Sequence, residues 1–153
     1  STFRLKLTIL MIFVTQNIAD EAINLQSGET TIGGVLTNKK WFDIKEELLT
    51  FNFNLNHGIN NIQFTILTSR NEGVKGLYMS DNKLIEYLPE KVDEKFLNLI
   101  GFQAYNCSVK SISAHNFRDM RKLEGLGLAD NQIEYIDDDS YDDLVALKLL
   151  WLS

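Results

Sequence analysis

The chain is predicted to fold as an α/β solenoid, in which stacked coils each add one strand to a curved parallel β-sheet. Two observations predict this fold class. Residues 74–153 repeat one pattern of apolar side chains with a period of 24 residues. Within each copy, apolar residues alternate with other residues over a short stretch, which is the pattern of a strand that buries one face. Because one coil cannot bury that face alone, neighbouring coils must stack on each other.

The two central copies define the repeat. They begin at Phe96 and Met120, and their side chains match in type at every position of the pattern. The matched pairs are Phe96 and Met120, Leu99 and Leu123, Phe102 and Leu126, Ala104 and Leu128, Cys107 and Asn131, Val109 and Ile133, Ile112 and Ile136, and Phe117 and Tyr141. An amphipathic helix does not hold a 24-residue period, and the glycines of this region also disfavour a helix.

Two further copies extend the repeat in both directions, giving three copies and a truncated fourth. The first copy contains one extra residue, and we align its positions as Val74, Leu77, Met79, Asn82, Leu84, Tyr87 and Val92. The fourth copy begins with Leu144, Leu147, Leu150 and Leu152 and stops before its polar position. We therefore expect the last coil to be open, and the sequence to be a fragment of a longer repeat protein.

A polar or small residue follows the strand of each complete copy. These residues are Asn82, Cys107 and Asn131, and we predict that they form an inward ladder. An asparagine at this position can bond backbone groups of the turning loop that would otherwise be buried without partners. A cysteine is small enough for the same place and carries a weak S–H donor.

The template LxxLxLxxNxLxxIxxxxFxxL, with N or C at its polar position, resembles the leucine-rich repeat. The last copies, NQIEYIDDDSYDDLVALKLLWLS, resemble the extracellular repeats of insect secreted and cell-surface proteins. The resemblance covers residues 74–153, about half of the chain, and it implies recognition of another protein or a glycan-bearing ligand through the concave sheet. Many extracellular members of the family have disulfide-bonded caps, whereas this chain has a single cysteine, Cys107.

The outward positions of the predicted strands provide the candidate binding surface. Its large side chains are Tyr78, Gln103, Tyr105 and Trp151, which we predict to contact a partner. Tyr and Trp combine apolar area with a polar tip, a combination that is frequent at interfaces. The alternative is that they only cover the sheet. The preceding outward column is Gly76, Gly101, Gly125 and Leu149, and its glycines either leave room for a partner or are only small strand residues.

Residues 1–22 have the layout of a secretory signal peptide. Arg4 and Lys6 precede an apolar run from Leu7 to Val14, and the small residues Ala19 and Ala22 follow a polar interruption. The run is too short to span a bilayer, which takes about 20 apolar residues. The alternative interpretation is a buried β-strand, because the run is rich in strand-forming residues.

Residues 23–73 are predicted to cap the first coil. A short helix is expected near Asp43, with Glu46 completing a capping box. Alternating apolar residues predict strands at 49–55 and 61–67, the second directly before the first repeat. We expect both strands to form the N-terminal cap, with Trp41 and Phe42 packed against it.

Composition and motifs exclude several function classes. The net charge of −6 argues against nucleic acid and against anionic membrane surfaces. The acidic cluster from Asp137 to Asp143 lacks the residue order of a calcium loop and indicates a solvated charged face. His57 and His115 have no ligand partner at metal-binding spacing. We expect no enzymatic activity, no metal and no cofactor, because no cluster of titratable groups predicts a catalytic pocket.

Two function hypotheses remain. The first is a recognition module of a protein that is secreted or lies on the extracellular side of the plasma membrane. In that setting Asn106, in the sequon Asn106-Cys107-Ser108, is a candidate glycosylation site. The second hypothesis is an intracellular repeat scaffold or regulatory subunit, which a free cysteine buried in the ladder would suit.

Overall fold

The computed structural model describes residues 12–15, 18–21, 24–26, 29–41, 44–53, 64–66 and 69–153. Side-chain environments are described for residues 33–41, 44–53 and 69–153. In chain order the strands are β1 (Ile12–Thr15), β2 (Ile18–Glu21), β3 (Asn24–Gln26), β4 (Glu29–Ile32), β5 (Gly34–Lys40), β6 (Glu47–Phe53), β7 (Phe64–Ile66), β8 (Gly76–Tyr78), β9 (Gly101–Gln103), β10 (Ser111–Ile112), β11 (Gly125–Gly127), β12 (Tyr135–Ile136) and β13 (Leu149–Trp151). One helical turn, α1 (Val92–Lys95), lies between β8 and β9.

The main sheet has six strands in the order β13-β11-β9-β8-β6-β5. All neighbours pair in parallel except β5, which pairs antiparallel with β6. The register places Gly76, Gly101, Gly125 and Leu149 side by side, which is the alignment that the sequence period requires. The predicted solenoid with a parallel sheet is therefore confirmed. The predicted α/β class overestimated the helix content, because the described residues are mostly β and contain a single four-residue helix.

The core lies behind this sheet and is built from the apolar positions of the repeat. The central strand residues Leu77, Phe102 and Leu126 are fully buried. Aromatic side chains pack within and between coils: the ring centroids of Phe102 and Phe117 of one coil lie 5.4 Å apart, and the ring of Phe117 stacks on that of Tyr141 in the next coil at 6.0 Å. Edge-to-face and offset-stacked contacts of this kind add to the free energy gained by apolar burial.

The return side of the coils is held by backbone bonds between neighbours. Strands β10 and β12 pair in parallel there, and the amide of Gln132 donates to the carbonyl of Val109 at 3.0 Å. The first copy corrects our alignment, because Leu84 is 61% exposed whereas Ile85 is fully buried. The extra residue of that copy thus lies directly after Asn82. Ile85 takes the inward position that we had assigned to Leu84, and the buried Leu88 takes the one that we had assigned to Tyr87.

The N-terminal part differs from the predicted cap. The predicted strand 49–55 corresponds to β6, which lies inside the main sheet, whereas the predicted strand 61–67 corresponds to β7, which pairs with β4. The two strands therefore belong to different sheets. The helix predicted near Asp43 is not present in the described residues, since Ile44 to Glu46 lead directly into β6. Asp43 itself and Phe42 lie outside the described residues, so a cap formed by this region stays a prediction.

Part of the proposed signal sequence is described as strands. β1 contains the last residues of the apolar run and pairs antiparallel with β2. Residues 1–11, including most of the run, lie outside the described residues. The pairing of β1 with β2 does not decide between a signal peptide and a retained strand, because the two strands would be removed together.

The last coil exposes apolar side chains. Leu150 and Leu152 occupy inward positions of the repeat, yet they are 41% and 42% exposed. The equivalent residues of the preceding coil, Leu126 and Leu128, are fully buried because a further coil covers them. The apolar surface of the last coil thus results from its place at the end of the described stack.

Candidate binding surface on the parallel sheet

The main sheet has one face on the core and one open face. Because side chains alternate along a strand, the residues on either side of Leu77, Phe102 and Leu126 point away from the core. They form two columns on the open face. The first contains Thr50, Gly76, Gly101, Gly125 and Leu149, and the second contains Asn52, Tyr78, Gln103, Gly127 and Trp151.

Trp41 covers the beginning of the first column. Its indole is 3% exposed, and its Nε1 donates to Thr50 Oγ1 at 3.0 Å. The ring lies directly over two glycines: a Cβ on Gly76 would be 2.9 Å from Nε1 of the indole, and a Cβ on Gly101 would be 2.8 Å from Cε3. Real Cβ atoms do not approach so closely, so these two glycines accommodate the indole of the same chain.

Lys39 extends this covered region to the second column. Its Nζ lies 3.1 Å from the centroid of the Tyr78 ring, in a cation–π contact. The edge of Trp41 also meets Tyr78, with ring centroids 6.4 Å apart and an interplanar angle of 81°. Burial lowers the pKa of Lys39, and the nearby carboxylate of Asp81 opposes that effect. We call Gly76, Gly101 and Tyr78, with Trp41 and Lys39 above them, the covered half of the open face.

The other half contains a groove of about 380 Å³. We call it the open groove, and five residues line it, namely Gln103, Tyr105, Gly127, Ala129 and Trp151. A Cβ on Gly127 would be 3.3 Å from Cγ of Gln103 and 3.7 Å from Cε3 of Trp151, so the two side chains flank the bare backbone. Next to the groove, a Cβ on Gly125 would meet no atom within 4 Å.

The open groove brings together three of the four residues predicted to bind a partner, namely Gln103, Tyr105 and Trp151. Tyr78, the fourth, lies in the covered half against Lys39 and Trp41. Sequence reasoning assigned Trp41 to the cap and did not place it on the open face. The glycine column was the available signal, since glycines at one position of adjacent coils indicate that something bulky lies over them.

Two aspartates and one asparagine lie at the corner where the strands end. Asp81, Asn106 and Asp130 occupy equivalent positions of successive coils and share a left-handed backbone, with φ values of 59°, 54° and 56°. The carboxylate of Asp81 is the main cause that raises the pKa of Tyr105; burial, a hydrogen bond to Asp81 and the charge of Asp130 act in the same direction. Lys83 lies at the same corner, with its Nζ donating to the carbonyls of Cys107 and Asp130 at 3.2 and 3.4 Å, so acidic and basic side chains both border the groove.

The predicted ladder residues lie at the inner side of this corner. Asn131 Nδ2 donates to the carbonyls of Ala104 and Leu128 at 2.6 and 2.8 Å, and its Oδ1 accepts from the amide of Val109 at 3.2 Å. Cys107 is fully buried and free, with Sγ 3.5 Å from the carbonyl of Tyr105. Asn82 Oδ1 accepts from the amide of Leu84 at 2.9 Å. Asn131 thus joins two coils, and Asn82 Oδ1 bonds within its own loop.

Asn106, the candidate glycosylation site, is half-buried. Its Nδ2 donates to Asp81 Oδ1 at 2.8 Å, and Ser108 of the same sequon is buried. A glycan on Nδ2 would replace one hydrogen of this amide beside the acidic corner.

The return side carries a second concavity of about 280 Å³. Its polar lining includes Glu90, His115 and Asp137. Asp137 Oδ2 accepts from the amide of Ala114 at 3.2 Å, and Arg118 contacts the ring of His115, so these groups bond nearby protein atoms. Within the described residues, no group of three His, Cys, Asp or Glu side chains is arranged to hold a metal ion.

Comparisons of the sequence with family models, with curated proteins and with solved structures found no match. In the described part of the chain, no helix has the length and apolar character needed to cross a membrane.

Proposed function

We propose that this chain is a leucine-rich repeat module that recognises another protein, or a glycan-bearing ligand, through the open face of its sheet. The observation that carries the proposal is the open groove, in which Gln103 of β9 and Trp151 of β13 flank the bare backbone of β11 at Gly127, and Tyr105 lines the groove just beyond the end of β9. Aromatic side chains with a polar tip supply large contact area at a small entropic cost. Strands of a packed sheet hold such groups more precisely than loops do.

The leucine-rich repeat assignment is supported by the 24-residue period together with the bonds of Asn131. An asparagine that follows a short parallel strand and bonds the backbone of the preceding coil is what the repeat template requires at its polar position. Stacked repeats commonly bind partners through the extended surface of their sheet.

Partner binding can be tested by selecting peptides from a phage-displayed random library against the full chain. We expect enriched peptides to lose at least tenfold in affinity for a variant with Tyr105→Ala and Trp151→Ala. The matched control is Tyr135→Ala, because Tyr135 is an exposed tyrosine on the return side and its loss should leave the affinity unchanged. Peptides that bind all three proteins equally would contradict the use of the open face.

We also propose that the protein acts outside the cell, on the basis of the layout of residues 1–22. The test is expression of the chain in secreting cells, followed by mass spectrometry of the medium. A product that begins between Asp20 and Ile23 is expected, and the same spectra report whether Asn106 carries a glycan. An uncleaved product kept inside the cell would contradict this proposal.

The second candidate is an intracellular scaffold of the same architecture. The observation in its favour is Cys107, the single cysteine, whose thiol is buried and whose pKa is raised chiefly by burial. Such a thiol is protected from oxidation and makes no internal disulfide. Retention of the uncleaved chain in the cytosol would favour this candidate.

A further inference from the structure

The cavity on the return side opens where the pairing of neighbouring coils stops. Between the second and third coils, β10 pairs with β12, and the amide of Asp137 donates to the carbonyl of Ile112 at 3.0 Å. The 24-residue period makes Ser113 and Leu88 the equivalent pair between the first and second coils. The amide of Ser113 instead donates to Oδ1 of Asn116 at 2.7 Å. The first coil is therefore not joined to the second at this level, and the cavity lies between them.

Asn116 presents hydrogen-bond donors to this cavity. Its side chain lines the cavity and is 5% exposed. Because the backbone N–H of Ser113 can only donate, it identifies its acceptor as the amide oxygen and leaves Nδ2 with two N–H groups. No hydrogen bond joins Nδ2 to the described residues, and among them only the Tyr141 hydroxyl is both unbonded and sealed from solvent. The two N–H groups of Asn116 are therefore accessible from the cavity.

An acceptor and an aromatic ring lie on the same lining. Glu90 lines the cavity, and its carboxylate makes no hydrogen bond or ion pair with the described residues. Tyr87, from the first coil, contributes a half-buried ring. The buried residues Leu88 and Ile112 make the rest of the lining largely apolar. A molecule in the cavity thus meets donors, an acceptor and an apolar surface together.

Charges of both signs surround these groups. Asp137 lies on the lining with Glu90, and its Oδ2 accepts from the amide of Ala114 at 3.2 Å. Positive charge comes from Arg118, which contacts the ring of His115 on the same lining. Because the two signs oppose each other, the cavity favours a neutral ligand over a cation or an anion.

The lining also distinguishes between classes of neutral ligand. A purely apolar molecule would cover the donors of Asn116 and the acceptor of Glu90 without replacing their bonds to water, which is unfavourable. An added peptide strand needs free backbone groups, but the amide of Ser113 is already bonded to Asn116. A sugar ring combines an apolar C–H face, which suits a tyrosine ring, with hydroxyl groups that both donate and accept.

We propose that the return-side cavity is a second binding site, which takes one neutral sugar ring of a glycan. The C–H face of the sugar packs against Tyr87. One hydroxyl group donates to the carboxylate of Glu90, and another accepts from Nδ2 of Asn116. The site is separate from the open groove, so this inference goes beyond the proposed function and does not depend on it.

The test uses the full chain labelled with ¹⁵N and a panel of methyl glycosides, namely those of glucose, galactose, mannose, fucose, xylose and N-acetylglucosamine. We expect at least one of them to produce saturable shifts of the side-chain amide resonances of Asn116. A Kd on the order of 1–10 mM is expected for a single sugar ring. Absence of such shifts with every glycoside at about 50 mM would overturn the inference.

Asn116→Asp is the matching variant of the protein. The new carboxylate still accepts from the amide of Ser113, whereas both N–H donors are lost. We expect unchanged circular dichroism and an affinity for the glycoside at least tenfold lower, measured from the resonances of the glycoside. The matched control is Asn98→Asp, which makes the same change outside the cavity and should leave the affinity unchanged. Equal affinities of these two variants would overturn the inference.

Glu90→Leu provides a second measurement that does not depend on the folding of the Asn116 variant. The carboxylate of Glu90 bonds no described residue, so its removal should leave the fold intact. The loss of the acceptor should lower the affinity for the glycoside at least tenfold. An unchanged affinity would contradict the assigned role of Glu90 and overturn the inference.

The outcome can be separated from that of the proposed function. The variant with Tyr105→Ala and Trp151→Ala should bind the glycoside as the original chain does. If glycoside binding depends on that pair and not on Asn116, the sugar lies in the open groove and this inference is wrong. If library-selected peptides lose affinity for Asn116→Asp while no glycoside causes a shift, the cavity binds a peptide and the inference is again wrong.

Discussion

Replacing Gly101 with alanine is expected to destabilise the fold through contact with Trp41. The new methyl group would lie 2.8, 3.0 and 3.1 Å from Cε3, Cδ2 and Cζ3 of the indole, so the ring must move by several tenths of an ångström at least. The indole has little freedom to do so, because it is 3% exposed and is bonded to Thr50 Oγ1 at 3.0 Å. Overpacking of this kind costs about 1–3 kcal/mol, and loss of the Thr50 bond would add about 1 kcal/mol. We therefore expect a loss of about 2–4 kcal/mol in the free energy of unfolding.

Gly125→Ala is the matched control, because Gly125 occupies the same column and a methyl group there meets no atom within 4 Å. Its effect should stay within about 0.5 kcal/mol, as for an ordinary surface substitution. Urea denaturation followed by far-ultraviolet circular dichroism measures both variants, and the midpoint and slope give the free energies.

A double-mutant cycle with Trp41→Ala assigns the effect to the indole. Trp41→Ala alone is expected to cost about 3–5 kcal/mol by creating a cavity, and in that background Gly101→Ala should cost almost nothing. Equal effects of Gly101→Ala and Gly125→Ala would refute the position of the indole over the first two glycines. Strict additivity of Gly101→Ala with Trp41→Ala would refute it as well.

Three further substitutions test other parts of the structure. Asn131→Leu should lower the free energy of unfolding by at least about 2 kcal/mol, because backbone groups of two coils lose their hydrogen-bond partner. The control Asn98→Leu removes only exposed hydrogen bonds and should cost less than about 1 kcal/mol in the same urea titration. Equal losses of stability in the two variants would argue against the ladder. Ile85→Ala should cost about 2–5 kcal/mol and Leu84→Ala almost nothing in thermal melts, and the reverse order would restore our original alignment. Tyr141→Phe should leave stability at pH 7 unchanged or slightly higher, because the Tyr141 hydroxyl is buried without a hydrogen-bond partner. Burial raises the pKa of Tyr141, so the native state keeps the phenol proton while the unfolded chain loses it above about pH 10. The stability of the protein therefore falls as the pH rises, and this fall should be smaller in the variant. Urea midpoints at pH 7 and pH 10.5 measure that difference, and a less stable variant at pH 7 would contradict the account.

The repeat could be predicted in detail wherever the pattern is strict. The 24-residue period predicted which residues of β9, β11 and β13 lie side by side, and the structure pairs Gly101, Gly125 and Leu149 accordingly. The first copy was aligned wrongly at Leu84. An insertion of one residue leaves two adjacent apolar residues, Leu84 and Ile85, equally compatible with the template, and only packing against the next coil selects between them.

The residues around the open groove could be predicted in part. The alternation rule placed Gln103, Tyr105 and Trp151 on one face, and the structure brings them around one groove. The same rule treated Tyr78 as equivalent to them, because nothing in the repeat distinguishes its coil. Its difference comes from Lys39 and Trp41, which lie outside the repeat.

The sequence by itself determined the stacking of coils, the strand positions and the residues of each face, because the same side chains recur at one spacing and every coil makes the same contacts with its neighbour. Only the tertiary structure decided what lies over those faces. Trp41 reaches Gly76 and Gly101 from a hairpin that has no repeat counterpart, and β6 joins the sheet by backbone pairing, which side-chain periodicity does not report. Contacts between a unique segment and a repeated one leave no periodic signal, so the division of the open face into a covered half and an open groove appears only when the chain is folded.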